Sequence, residues 1–142
     1  MRMSITSIII LLALPLGRAQ KAPEKGFELY GTASYYAQRF EGRRTASGAI
    51  FRQDSLTAAH KSLPFGTKVK VTNRENERSI EVYINDRMAK RSPHIIDLTR
   101  KGAKELGILR TGFGLVSIEV IPTLPQLADS SLYHSDSLNP RK

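Results

Sequence analysis

The sequence predicts a small all-β domain of the β-barrel type. Three segments alternate apolar and polar residues with a period of two, which is typical of strands that bury one face. Only one segment has the pattern of a helix, and it is short. The connection 38–56 has no strand pattern, and loops of this length in a compact domain tend to be functional. Short strands, one helix and long irregular connections together favour a small barrel.

The predicted strands follow one another from residue 27 to residue 121. Phe27–Tyr36 mixes aromatic and small residues and is the first. Lys68–Thr72 reads KVKVT and Ser79–Asn85 reads SIEVYIN, and the polar stretch NRENER between them predicts a hairpin. Gly114–Ile121 is the third alternating run, and Pro122 ends it.

One short helix is predicted from about residue 98 to residue 106. Asp97 and Thr99 are both candidates for its N-cap, because each places a side-chain oxygen near the first free N–H groups. Gly107 provides the usual glycine stop, whereas Gly102 is a poor helix former.

Residues 1–19 have the pattern of a signal peptide. Arg2 supplies a positive charge, and residues 5–16 form an apolar run that is short for a membrane span. Gly17 and Ala19 are the small residues that signal peptidase requires before its cleavage site. An uncleaved anchor is the alternative. We therefore expect an exported protein, periplasmic or secreted, without a stable membrane anchor.

The rest of the chain is predicted to hold one domain between two unstructured ends. Residues 20–26 form a polar leader and residues 27–122 form the folded domain. Residues 123–142 are rich in Ser, Asp and Pro without periodicity, which is typical of a disordered tail. We expect a monomer.

Composition excludes several classes of function. The chain has no cysteine, which removes disulfides, thiolate metal sites, a Cys nucleophile and a lipid-acceptor Cys. The three histidines are scattered without metal-ligand spacing, and no common hydrolase or nucleotide-binding motif occurs, so no metal or cofactor is expected. The formal charge of +9 becomes +7 when Arg2 and Arg18 leave with the signal peptide (9 − 2). A basic exported domain suits an anionic polymer; nucleic acid is not expected, and a charge kept for solubility is the alternative.

Asp86 is the first candidate for chemistry. The segment YINDRMAKRSPHIIDL runs two apolar, strand-like stretches into two carboxylates, Asp86 and Asp97. Ile80, Val82 and Ile84 share one face of a predicted strand, and Asp86 continues that face. A carboxyl directed towards a core has its pKa raised unless donors compensate, which suits a general acid. A strand-end Asp that reaches solvent or pairs with Arg87 is the alternative.

Three further positions are weaker candidates. Asp97 precedes the predicted helix and is better explained as its cap, with a secondary role in binding. His60 could orient a carboxyl or bind a sugar, or it could be structural. Thr45 and Ser47, in the segment TASG, offer two hydroxyls in a tight turn.

Four segments together resemble the RlpA-like (rare lipoprotein A) family. They are GTASYYAQRFEGRRTASG, LTAAHKSLPFGTKVKVTN, VYINDR and HIIDLTRKGAKELG, in the family's order and spacing. The resemblance covers about residues 30–121. It implies a six-stranded double-psi β-barrel with one or two short helices, shared with expansins, and lytic transglycosylase activity on peptidoglycan glycan strands, preferably free of peptide.

The resemblance also implies roles for individual residues. Asp86 matches the catalytic acid and His60 its active-site partner, and Asp97 matches a functional acid of expansin-like barrels. Other side chains expected to line the glycan groove are Tyr35, Thr45, Ser47 and Arg87. A lytic transglycosylase needs one residue that acts as acid and then base, since the muramyl C6 hydroxyl replaces water. A glycosidase that uses water needs two carboxyls.

The chain departs from the family pattern at several positions. Ala49 stands where many members carry an acidic residue, and Met88 and Ala89 replace the Gly-Pro after the catalytic strand. Glu41 and Asp54 are the acids that could compensate. The alternative function is therefore an expansin-like module that binds polysaccharide without cutting it. A structural or interaction protein that merely keeps the barrel is a third possibility.

Overall fold

The computed structural model describes residues 26–122, which form one six-stranded barrel with a short helix. The predicted signal peptide, most of the leader and the predicted tail lie outside the described residues. The elements are β1 (Glu28–Tyr35), a 3-10 turn (Gln38–Phe40), β2 (Thr57–His60), β3 (Lys68–Asn73), β4 (Ser79–Arg87), β5 (Ile96–Leu98), α1 (Arg100–Leu106) and β6 (Gly114–Ile121). No helix between residues 26 and 122 has the length and apolar character needed to span a bilayer.

The barrel closes in the order β1–β5–β2–β4–β3–β6, with β6 returning to β1. Two neighbouring pairs are parallel, β1 with β5 and β2 with β4, and the other four are antiparallel. Closure leaves no sheet edge to be covered. The predicted hairpin is confirmed, because β3 pairs with β4 along its length.

The core fills the barrel with side chains from alternate positions of its strands. In β6, Val116, Ile118 and Val120 are at most 2% exposed, whereas Leu115 on the opposite face is 53% exposed. Burial of a Val or Ile side chain contributes roughly 1.5–3 kcal/mol. The helix α1 adds Ala103 and Leu106 to the same cluster. The period-two pattern in the sequence therefore identifies the side chains that fill the barrel interior.

The helix begins later than predicted, and Asp97 does not cap it. Thr99 is the N-cap, since its hydroxyl accepts the N–H of Gly102 at 3.1 Å. Asp97 lies within β5, which pairs with strands on both sides and is therefore extended. The cap prediction for Asp97 is wrong, because strand pairing takes the backbone that a cap would need. Gly107 ends the helix with φ of +82°, as predicted.

The segment Thr57–His60 was not predicted as a strand. Its last three residues, Ala58, Ala59 and His60, are all buried, so the sequence shows no alternation there. The strand β2 nevertheless occupies a central place, parallel to β4 and antiparallel to β5.

Candidate functional site

Asp86, near the end of β4, is held by three hydrogen-bond donors. Its Oδ2 accepts the hydroxyl of Tyr36 at 2.6 Å. Its Oδ1 accepts the backbone N–H of Ala46 at 2.7 Å and that of Arg87 at 2.8 Å. An ionised carboxylate offers about four acceptor positions. About one position therefore remains for a further partner, and it belongs to Oδ2.

A β-bulge decides where the Asp86 side chain points. Along the parallel pair of β2 and β4, Ala58 faces Ile84, but the next residue, Ala59, faces Asp86. Asn85 is the extra residue on β4, and it interrupts the alternation. The sequence argument that Asp86 continues the core-facing row of Ile84 is therefore wrong. Asp86 is half-buried and points away from the barrel interior.

Asp97 lies on the same face as Asp86, two strands away. The register places Ser34, Asp97, Ala59 and Asp86 in one row across β1, β5, β2 and β4. Residues paired in this way point to the same side of a sheet. Two strand spacings put the Cα atoms of the two acids about 10 Å apart. The hydroxyl of Ser34 donates to Asp97 Oδ1.

Ala59 forms the floor between the two acids. Its neighbour Ala58 belongs to the central hydrophobic cluster, so the Ala59 side chain faces the other way. Ala59 is only 1% exposed. Its methyl group is therefore covered, and it lies in the row between Asp97 and Asp86.

Tyr36 is bonded to Asp86 and lies within the electrostatic influence of Asp97, whereas its neighbour Tyr35 was the residue expected at the site. Burial, the hydrogen bond to Asp86 and the charges of Asp86 and Asp97 raise the pKa of the Tyr36 hydroxyl, which stays a neutral donor. The ring packs on Phe51, with centroids 4.3 Å apart, and edge-on against Phe40. Its backbone N–H donates to the carbonyl of Leu98 at 3.0 Å, which extends the β1–β5 pairing.

Tyr35 points to the other side of its strand. Its hydroxyl donates to the carbonyl of Leu109 at 3.0 Å, and its ring packs against the core. Arg100 lies over that ring, 5.9 Å from the centroid. The structure therefore brings Tyr36, and not Tyr35, to Asp86. Adjacent residues of an extended segment face opposite ways, so the choice depended on which face held the acids.

The TASG turn delivers the Ala46 N–H to Asp86. Thr45 is buried, and its backbone N–H donates to the carbonyl of Ala49 at 2.8 Å. The Thr45 and Ser47 hydroxyls are 2.9 Å apart, and the Ser47 N–H donates to the carbonyl of Asn85 at 3.2 Å. These bonds fix the turn against β4, and Ser47 remains exposed beside the site.

The two acids named as possible substitutes for Ala49 have other partners or positions. Glu41 accepts the backbone N–H of Gln53 at 2.7 Å and pairs with Arg52 at 3.4 Å. Asp54 lines a separate cavity beside α1. Neither makes a hydrogen bond to the Asp86 cluster.

His60 lies beside Asp86 without bonding to it. Its Nδ1 accepts the N–H groups of Ser62 and Leu63 at 3.1 and 3.0 Å, so the ring proton is on Nε2. Burial lowers the pKa of His60 to about 4, helped by the charges of Arg87 and Lys61. His60 is therefore neutral at pH 7.

Arg87 is the neighbour of this histidine on β4. It pairs in register with His60, and its guanidinium stacks on Phe65 at 4.0 Å from the ring centroid. Among residues 26–122, no group of three His, Asp or Glu side chains is arranged to hold a metal ion. The site consists of carboxylates, hydroxyls and backbone donors.

This closed six-stranded barrel, with β1–β5 and β2–β4 as its parallel pairs, is of the double-psi β-barrel class. Residues 29–119 match the lytic transglycolase family, and the chain belongs to that family. The predicted fold class is thereby confirmed.

Relatives within the family are longer proteins. The endolytic peptidoglycan transglycosylase RlpA of Pasteurella multocida is 45% identical over 105 residues, which are 73% of this chain and 36% of that protein. The protein of the same name from Vibrio cholerae is 43% identical over 106 residues, 72% of this chain and 40% of its own length. The chain therefore spans well under half of either relative.

The fold also matches solved structures at low sequence identity. A substituted expansin from Clavibacter michiganensis, in complex with cellohexaose, superimposes with a TM-score of 0.56 at 16% identity. The match covers 68% of this chain and 51% of the expansin. This likeness concerns the fold alone.

Proposed function

We propose that this protein cleaves the glycan strands of peptidoglycan by lytic transglycosylation, with Asp86 as acid and then base. The observation that carries the proposal is Asp86 itself, fixed by Tyr36, Ala46 and Arg87 on an open face with one acceptor position left on Oδ2. Family membership supports it, since relatives aligned over this domain bear the name endolytic peptidoglycan transglycosylase.

The reaction needs one proton carrier and no water. Protonated Asp86 donates to the glycosidic oxygen as its bond to the muramyl C1 breaks. The muramyl C6 hydroxyl then attacks C1 and returns its proton to Asp86, which closes a 1,6-anhydro ring. The proton given and the proton received balance, so Asp86 ends the cycle as it began.

The remaining site residues have supporting roles in this proposal. Tyr36 and the Ala46 N–H hold the Asp86 carboxyl in one orientation while a proton moves on and off Oδ2. Asp97, on the same face, provides negative charge opposite the positive charge that develops at C1. Its hydrogen bond from Ser34 fixes its position.

Contacts to the sugars are proposed for the side chains around this face. Ser47 is exposed and Arg87 is half-buried; Arg87 follows Asp86 in the chain, and the Ser47 N–H donates to the carbonyl of Asn85, which precedes it. The Thr45 hydroxyl acts through Ser47, to which it is bonded. Tyr35, bonded to the carbonyl of Leu109, and the buried His60 would support the site from beneath rather than touch the sugars. We further propose that the protein acts outside the cytoplasm, as a monomer.

A binding module without catalysis is the second candidate. The specific observation that favours it is Ala49, because no acid occupies this position and neither Glu41 nor Asp54 bonds into the Asp86 cluster. The fold likeness to an expansin fits the same candidate. A hydrolytic mechanism would need a second carboxyl to activate water, whereas transglycosylation would not.

Mass spectrometry of peptidoglycan strands separates the two candidates. The protein is incubated with peptide-free and peptide-bearing strands, and the products are searched for 1,6-anhydromuramyl ends. Replacing Asp86 by Asn should lower their formation at least about 100-fold, because the amide cannot carry the proton. Glu119→Gln, which removes an exposed carboxylate on β6, outside the row of Asp97, Ala59 and Asp86, serves as the matched control and should cleave normally.

Two outcomes of this experiment would contradict the proposed mechanism. Anhydro ends that persist in Asp86→Asn would contradict the assigned role of Asp86. Intact strands that nevertheless retain the protein would establish the binding module. Circular dichroism of both variants checks that the barrel is folded.

A further inference from the structure

An open cavity of about 490 Å³ lies between α1 and the connection that follows β1; its surface is mostly apolar, and exposed cationic side chains stand around it. Its lining includes Arg100, Lys101 and Lys104 from the helix, with Asp54, Gln53 and Leu109. Three cations and one acid give the lining a net charge of +2 (3 − 1). The cavity is separate from the Asp86 carboxylate and has no part in the mechanism above.

Among residues 26–122, no ion pair joins these cations to an acid. The ion pairs in this part of the chain are Arg52 with Glu41 and Lys68 with Glu81. Arg100 and Lys104 are four residues apart on one short helix, where like charges repel. Placing two like charges in this way lowers the stability of the helix, and such a loss is expected at sites where the charges are needed for binding.

Gln53 connects the cavity to the catalytic face. Its side-chain amide donates to the carbonyls of Tyr36 and Ala37, each at 3.3 Å, and its Oε1 accepts the Arg100 N–H at 2.9 Å. The hydroxyl of the same Tyr36 donates to Asp86. The cavity and the catalytic carboxyl therefore flank the two ends of one tyrosine, and an extended polymer could occupy both.

We propose that this cavity is an anionic subsite, which binds a free carboxylate of the glycan strand while a neighbouring sugar lies at Asp86. The inference rests on the proposed function and names the residues that would distinguish a free carboxylate on the strand from an amide. A muramyl residue without peptide ends its lactyl group in a carboxylate, whereas an attached peptide converts that group to an amide. Lys101 and Lys104 pair with the carboxylate, and Leu109 packs on the lactyl methyl.

Binding to chemically matched strands tests the subsite. All proteins carry Asp86→Asn, so the strands stay intact and binding is measured apart from cleavage. Peptide-free strands are compared with the same strands after their carboxylates have been coupled to methylamine. The test variant is Lys101→Gln/Lys104→Gln, and the control is Lys70→Gln/Arg74→Gln, which removes the same charge near β3, away from this cavity.

A loss of affinity is expected only for the Lys101/Lys104 variant, and only with strands that carry free carboxylates. The Lys101/Lys104 variant should bind free-carboxylate strands roughly fivefold to tenfold more weakly, as two partly exposed ion pairs predict. It should bind amidated strands as the parent does, and the control should keep most of its affinity for both.

Three results would overturn the inference. Equal losses in the test and control variants would indicate general attraction by the basic surface. An equal loss on free and amidated strands would remove the carboxylate from the explanation. A third result would be that a glycerol phosphate polymer competes with the strands for the parent protein but not for the Lys101/Lys104 variant, while amidation of the strands has no effect. The cavity would then be assigned to phosphate. Absence of cleavage by the wild-type protein would count against the proposed function alone.

Discussion

Asp86 is positioned by three parts of the chain that are distant in sequence. Tyr36 comes from the end of β1, Ala46 from the long connection and Arg87 from β4 itself. Two of the three donors are backbone N–H groups, so most substitutions at residues 46 and 87 would keep them. Tyr36 is the one donor that comes from a side chain, so a substitution at this position would remove a hydrogen bond that orients the carboxyl.

His60 should make the stability of the protein depend on pH between about 4 and 6.5. Its folded-state pKa, about 4, lies below its ordinary value of 6.5, so the unfolded chain binds the proton first. The contribution to stability is fully present above pH 6.5 and is lost as the pH falls towards 4. We expect the free energy of unfolding in urea to fall by about 1–2 kcal/mol from pH 7 to pH 5 through this residue.

The variant His60→Asn provides the comparison for this titration. Its side-chain oxygen can accept the N–H groups of Ser62 and Leu63 but does not titrate. The variant should therefore show a flatter dependence over the same range. An unchanged dependence would mean that His60 is not the group responsible.

At the scale of elements, the alternation of residues predicted the strands that have one face on the core. β3, β4 and β6 were found in this way, because Val69, Val82 and Ile118 and their alternate neighbours fill the barrel. β2 was not found, since Ala58, Ala59 and His60 are buried on both faces. Periodicity cannot detect a strand whose outer face is also covered.

The candidate site was predicted in its acids and not in its geometry. Asp86 and Asp97 were both candidates, but Asp86 was expected on the core-facing row and Asp97 at a helix cap, because the bulge at Asn85 and the pairing of β5 were not visible. Tyr36 could not be separated from Tyr35, because the pairing of β1 with β5 decides which ring meets the acids. These features depend on register between distant strands, which a single sequence does not encode locally.

The N-cap of α1 stabilises the start of the helix through two hydrogen bonds of one side chain. Thr99 is fully buried, accepts the N–H of Gly102 and donates to the carbonyl of Ser55 at 2.5 Å. We expect Thr99→Ala to lower the free energy of unfolding by about 1–2 kcal/mol, measured in urea, because both bonds are lost. Thr99→Ser keeps the hydroxyl and should lose less; equal losses would attribute the effect to the methyl group.

At the scale of the whole molecule, the barrel depends on its core and on closure. The chain has no cysteine, so no disulfide constrains it. β6 closes the barrel, because it pairs with β1 on one side and β3 on the other. A core side chain at the centre of β6 therefore packs where the two ends of the sheet meet. Loss of this packing should lower the free energy of unfolding of the whole domain in a single cooperative transition.

Two substitutions on β6 measure this dependence. Ile118 is 1% exposed, and Ile118→Ala should lower the free energy of unfolding by about 2–5 kcal/mol, with one transition seen by fluorescence and circular dichroism. Leu115, on the opposite face of the strand, is 53% exposed, and Leu115→Ala should change it by less than about 1 kcal/mol. Equal losses would show that the face of Leu115 is covered in solution. Separate transitions for Ile118→Ala would mean that the barrel opens at β6 before the rest unfolds, so closure and core would not be one cooperative unit.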